Sequence, residues 1–358
     1  MKNSLTSTAT KEIGKLLNWF LLLLILSNFS FSQESNSIEY RTINSYLDDF
    51  AKNELFVKKS LMEYSSSIIE NQLETRAKST STMVIEKLKA INTNLQINDK
   101  GFEKNTLLRD SFIRMNKKTI ECMTNGTLIM NDYISQSLNN VSTINQNLKE
   151  RELNLISYFE ELKRHEKIKK KFGIMNNIKF RTYSGNNIFE YNAFENILFY
   201  KINVIDEKIN ASINNIDAND FSESIVALKN IYQESNLKTD EYKSNFSDTS
   251  LNNATISYSN FIYNQKMKII ILFNAFSNEN IILQKLKSQP NQENEVYITQ
   301  YNSAVKSYNI KKNTLFDALE IIKKNKKIMY DNWFVVNRTF LKNNAKFDDI
   351  YQSYTYNN

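Results

Sequence analysis

Starting at Ile298, apolar side chains recur in steps of three and four through Tyr301, Val305, Tyr308, Leu315, Leu319, Ile322, Met329, Trp333, Val336 and Phe340. Only Lys312 and Lys326 interrupt the series. Such spacing lines up one side chain per turn on a single helix face, and its average of about 3.5 residues is that of a coiled-coil seam. The pattern predicts one helix over Glu295–Leu341, about 70 Å long at roughly 1.5 Å per residue. Near the amino terminus Ile43, Leu47, Phe50, Val57, Leu61, Tyr64 and Ile68 follow the same steps, with Glu54 the exception. Polar clusters and the rare Gly and Pro residues predict breaks near Gln72–Lys78, Asn98–Lys104, Asn139–Asn147, Gly173–Asn187, Asn214–Asp220, Ser235–Asp248 and Ser288–Asn294.

These breaks repeat. A shift of 143 residues lays Asn53–Phe172 over Asn196–Leu315 without gaps. In that register Leu155, Tyr158, Leu162, His165, Lys169 and Phe172 fall on Ile298, Tyr301, Val305, Tyr308, Lys312 and Leu315. The expected fold is all-α, with long antiparallel helices forming two related bundles produced by tandem duplication. The first unit is placed at 38–180, the second at 181–324, and a carboxy-terminal helix extension and tail at 325–358.

Composition supports helices by elimination. Five Gly and one Pro in 358 residues leave too few turn residues for a β-sandwich, a barrel or a Gly-rich dinucleotide-binding loop. A single cysteine, Cys122, permits no internal disulfide, so stability must come from burial, for which 41% hydrophobic residues suffice. Asn is frequent and therefore marks turns weakly. At the amino terminus Lys2, Lys11 and Lys15 precede the apolar run Leu16–Leu26, and Ser30 and Ser32 precede Gln33. That order reads as a signal peptide over 1–32. Its apolar core is well short of the roughly 20 residues that span a bilayer. The mature chain is expected outside the cytoplasm, in the periplasm, at the cell surface or secreted, with no transmembrane span once the signal is removed.

Catalytic and metal chemistry find little support. The only histidine, His165, stands in HEKIK, where Lys169 occupies the place of the second zinc ligand of a zinc-protease motif. One imidazole and one thiol exclude a His-based zinc site within one chain. The same count excludes Ser-His-Asp and Cys-His catalysis unless His165 is the base. His165 is read as a half-buried core residue and Cys122 as a small apolar one. Neither a phosphate-binding Gly-rich loop nor an EF-hand loop is present. Adjacent carboxylates at Glu160–Glu161 and Asp348–Asp349 leave a carboxylate-based hydrolase as the third-ranked reading only, because acid–base pairs are set by distance across a fold and not by adjacency. The reading is of a non-enzymatic protein with no cofactor and no metal.

Charge supplies the one candidate surface. Lys163, Arg164, Lys167, Lys169, Lys170 and Lys171, with Lys179 and Arg181, cluster at a helix end and the following loop. The net charge is +7; the leader holds three Lys and Glu12, or +2, which leaves +5 on the mature chain. Anionic envelope polymers, lipid headgroups or another envelope protein are the expected partners, and nucleic acid is disfavoured by the compartment. The apolar run MKIIILFNAF (Met267–Phe276) raises an alternative, a membrane-active, pore-forming or toxin-like protein. At about 10 residues it is too short to span as a helix, and a buried core helix is expected.

The leader end SFSQE and the paired segments YNAFENILFYKIN (Tyr191–Asn203) and DTSLNNATISYSNFIYNQK (Asp248–Lys266) resemble a group of exported, all-helical surface proteins of unknown function of flavobacteria and spirochaetes. Tyr301-Asn302 and Tyr308-Asn309 are similar to the YN repeat of other two-bundle envelope proteins. The resemblance implies an exported helical structural or binding module. It brings no catalytic residue and no ligand.

Overall fold

The structure, a computed structural model, describes residues 40, 42–69, 74–124, 132–180, 188–243, 247–289 and 294–344, with the backbone alone at 57–69, 74–80 and 239–243. The expected signal peptide, Arg181, Gly185, Pro290 and the tail beyond 344 lie outside the described residues, as do the side chains of Val57, Leu61, Tyr64 and Ile68. Among the described residues there are nine helices and no strand. They are α1 (Ile43–Ile69), α2 (Glu74–Asn98), α3 (Leu107–Thr124), α4 (Tyr133–Ser137), α5 (Val141–Met175), α6 (Ile188–Asn215), α7 (Ala218–Lys243), α8 (Ser250–Lys287) and α9 (Glu295–Asn344).

Asn and Asp start most of them, because their short side chains accept from the first free backbone N–H groups. Asn105 accepts from Leu107 N, Asn140 from Thr143 N, Asp217 from Asp220 N, Asp248 from Ser250 N, and Asn294 from Val296 N, all at 2.8–3.0 Å. The break expected across Asn139–Asn147 therefore contracts to the cap itself, and α5 begins at Val141. In the turn after α2, Gly101 takes φ +80°, and the Asp99 carboxylate accepts from its N–H at 2.6 Å. A Cβ at Gly101 would collide with the Asn105 carbonyl.

One apolar core joins α1, α2, α3 and the end of α5 through Tyr46, Leu47, Phe50, Leu95, Leu108, Phe112 and Phe172. A larger one joins α6, α7, α8 and α9 through Ile205, Ile209, Leu228, Ile262, Phe273, Leu315, Trp333 and Phe340. The packing runs across the boundary drawn at 180. Val141, Ile144 and Leu148 at the start of α5 belong to the larger core, while Cys122, Leu155, Tyr158 and Phe159 form a third cluster with Phe194 and Ile197 of α6. Helix α5, about 50 Å long at 1.5 Å per residue, is thus a spine shared by both bundles.

Helix α6 is buried nearly all round, polar residues such as Asn203, Asp206 and Lys208 included, and forms the axis of the second bundle. The carboxy-terminal part of α9 is an integral wall of this bundle. The Trp333 ring stacks on Phe199 at 3.8 Å, its Nε1 donates to Thr255 Oγ1 at 3.0 Å, and Asn337 bonds both Asn192 and Asn196. The inward stripe read from the sequence holds from Leu315 to Phe340. At its start it does not, since Ile298 is 45% exposed. The reason is length: Phe221 meets Phe273 and Asp206 meets Lys326, so the turn between α6 and α7 falls well short of the α8–α9 connection. Beyond it, among the described residues, the two long helices pack mainly on each other, over roughly 20 residues of α9 or about 30 Å.

Shifted by the 143-residue offset, the starts of α1, α2 and α3 fall at 186, 217 and 250, beside the observed 188, 218 and 250. Helix α5 would restart at 284, against an observed Glu295.

Candidate functional site

The basic cluster lies on the last three turns of α5, at the outer end of the first bundle. The Tyr46 ring lies 5.9 Å from Phe172 and 6.2 Å from Phe102, which brings the start of α1, the α2–α3 turn and the end of α5 together there. The chain leaves α5 through Asn177 at φ +55°, and Ile178 N donates to Gly173 O at 2.7 Å. That reversal packs the Phe180 ring over Gly173, where a Cβ would come within 2.8 Å of the ring, and it sets Lys179 beside the helix end. The last carbonyls are already satisfied: Asn176 N donates to Phe172 O and Gly173 O, and Asn176 Nδ2 donates to Phe172 O at 2.8 Å. The lysines are therefore not needed as caps.

The eight cations separate into classes. Lys163 pairs with Glu190 at 2.7 Å and Arg164 with Glu161 at 3.1 Å, both on exposed side chains. Lys167, Lys170, Lys171 and Lys179 are exposed, and next to them the apolar side chains of Ile174 and Met175 are also open to solvent. Lys169 does not belong to this surface. It is 2% exposed, lies 2.8 Å from Glu166 and 4.0 Å from the buried Glu54, and burial, which would lower its pKa, is outweighed by the two carboxylates, which raise it. Its position on the inward side of α5 decides this, as does Glu54, the one polar interruption of the α1 stripe. Arg181 lies outside the described residues.

His165 is fully buried rather than half-buried, at 1% exposure. Its Nδ1 shares a 2.9 Å hydrogen bond with the Ser111 hydroxyl, and its ring lies 5.8 Å from Phe112. Cys122 is buried, and burial pushes its thiol up to about 11, so it packs as an apolar residue. No group of three His, Cys, Asp or Glu side chains among the described residues could hold a metal ion. The run Met267–Phe276 turns Ile269, Phe273 and Phe276 into the core, with Phe273 on Phe221 at 4.1 Å. No helix among the described residues is long and apolar enough to cross a membrane.

Three buried ionic features were not foreseen. Between α5, α6 and α7, Glu152 accepts from Lys201 at 2.7 Å and from Lys238, and Lys201 also reaches Glu234 at 2.8 Å. Between α6, α8 and α9, Asp206 is 1% exposed and pairs with Lys266 at 2.9 Å and Lys326 at 2.6 Å. Burial alone would raise the Asp206 carboxyl; the two ammonium groups instead hold it at about 2. Lys326 was legible as a break in an apolar stripe, and Lys266 holds the same kind of place between Ile262 and Ile269. A cation on an inward face marks a buried partner, but only the fold says which. Third, Glu195 is 0% exposed, and burial pushes its carboxyl up to about 7. The first two tie helices together through ion pairs.

No family model, curated protein or solved structure matches the chain.

Proposed function

We propose that this is an exported, non-enzymatic helical scaffold of the bacterial envelope or surface, which holds an anionic envelope polymer at the outer end of α5. The observation that carries the reading is the division of the basic cluster. Lys167, Lys170, Lys171 and Lys179 stand exposed and serve neither as helix caps nor as a lining of the core, while the remaining described cations of the run have carboxylate partners. Cations gathered at the end of a stiff bundle attract polyanions, and each lysine near such a surface contributes about 1 kcal/mol. The signal-like leader and a mature charge of +5 support the envelope as the place of action. The duplication belongs to the same proposal, supported by three helix starts that follow the 143-residue offset.

The test is retention on immobilised long-chain polyphosphate, a polyanion without base or sugar chemistry, measured against salt. The comparison is the variant Lys167→Gln/Lys170→Gln/Lys171→Gln/Lys179→Gln. Lys169 must be left in place, because it is buried and paired with Glu54 and Glu166, and its loss would disturb the core. The expected result is roughly thousandfold weaker binding by the variant, since four surface cations at about 1 kcal/mol each sum to about 4 kcal/mol, with a shallower salt dependence. Equal retention of the two proteins would overturn the assignment.

A further inference from the structure

Helix α9 carries a second pattern on the side away from its core stripe. Ile321, Ile328 and Val335 recur every seven residues and are 61%, 67% and 57% exposed. A single exposed isoleucine is ordinary. Here three stand in one column, and Asp317, Lys324, Asp331 and Arg338, all exposed, run beside them at the same seven-residue step. The charges read minus, plus, minus, plus. On the other flank stand the uncharged Ala318, Asn325, Asn332 and Thr339. A strict seven-residue repeat drifts by only about 20° per heptad on a straight helix, and a left-handed supercoil absorbs the drift.

The order of charges selects the occupant. A parallel partner in register would set the charged column against the partner's neutral flank, so no charge would meet its opposite. Reversal about Ile328 does the opposite. Asp317 then faces the partner's Arg338, Lys324 faces the partner's Asp331, Ile321 meets the partner's Val335, and Ile328 meets itself. On the neutral flank Asn325 falls level with the partner's Asn332. A two-fold interface presents the same patch twice, so the patch must complement its own reversal; this one does, in charge and in apolar contacts together. Asp331 already accepts from Lys327 of its own helix at 2.7 Å, which leaves its other oxygen for the partner's Lys324.

We propose that the outer face of α9 is a dimer interface. Two copies of this chain pair antiparallel along 317–338, about 33 Å of helix at 1.5 Å per residue, around a two-fold axis at Ile328. The interface lies across α9 from the core and on the other bundle from the basic end of α5, so the dimer would present two anion-binding ends.

Sedimentation velocity from micromolar to submillimolar concentration tests this, with circular dichroism to confirm that each variant keeps its helices. The wild-type chain should shift from monomer to dimer. Ile328→Lys puts two ammonium groups at the axis and should weaken the dimer by about 100-fold or more. Asp317→Arg and Arg338→Asp should each weaken it by about tenfold. Combining the two reverses both sides of the same contact and should restore the wild-type affinity. A wild-type chain that stays monomeric throughout, an Ile328→Lys dimer of unchanged strength, or a double variant no stronger than the single ones would each overturn the proposal.

Discussion

Glu195 sits on α6, on the side turned toward α8, with neither carboxylate oxygen hydrogen-bonded among the described residues. The nearby Thr255 hydroxyl donates to the Leu251 carbonyl at 3.1 Å and accepts from Trp333 Nε1, which leaves it no proton for Glu195. A carboxylate without donors is disfavoured in its charged form, and the group is pushed up from 4.5 to about 7. The folded state therefore holds a proton that the unfolded chain has released between those two values. The raised pKa contributes stability that is fully present below pH 4.5 and lost as the pH rises through 7. At about 1.4 kcal/mol per unit, the 2.5 units separating 4.5 from 7 amount to roughly 3 kcal/mol. Glu195→Gln keeps the shape and removes the titration. Urea unfolding followed by circular dichroism from pH 4 to pH 9 should show the two proteins close together at the acid end. The variant should become more stable by about 3 kcal/mol above pH 7, or roughly 5–10 °C in melting temperature. Curves that stay parallel across pH 4.5–7 would refute the reasoning, because the carboxylate would then be solvated or paired in the folded state.

Asp206 titrates in the opposite sense: held at about 2 against an ordinary 3.8, it supplies stability above pH 3.8 that is lost as the pH falls through 2. Asp206→Asn should flatten that acid limb, measured by unfolding at pH 2–5. Lys266→Met removes one of its two cations from a fully buried site and should cost about 3–5 kcal/mol at neutral pH, read from the urea midpoint. Trp333→Ala should cost about 3–5 kcal/mol through the lost Phe199 stack and the cavity left behind, measured by thermal melting. Gly101→Ala, at φ +80° and against the Asn105 carbonyl, should destabilise the chain by about 1–3 kcal/mol, and native-state hydrogen exchange should rise first in the α2–α3 turn.

Helical class and helix length were open to reading because they rest on local periodicity. The step from Leu315 to Phe340 is set by the geometry of one helix and needs no partner to be recognised. The same stripe misled at Ile298, since periodicity states which face is apolar and is silent on whether another helix reaches far enough to cover it. Among the candidate cations, Lys169 was counted with the surface although it lies on the inward series of α5, where the buried Glu54 stands opposite. His165 was legible as a core residue, though only as a half-buried one. Its full burial depended on Ser111, 54 residues away, supplying a hydrogen bond.

What the amino-acid order determined alone was the helices, the approximate breaks between them, and the scarcity of histidine, cysteine and glycine. These are properties of neighbouring residues and of counts. Tertiary structure decided the rest: α5 as a spine between two cores, Asp206 held between Lys266 and Lys326, Glu195 stranded without a donor, and four of the lysines left at the surface. The physical reason is that burial and electrostatics depend on which groups arrive from distant parts of the chain, and a charge costs or contributes free energy according to that company.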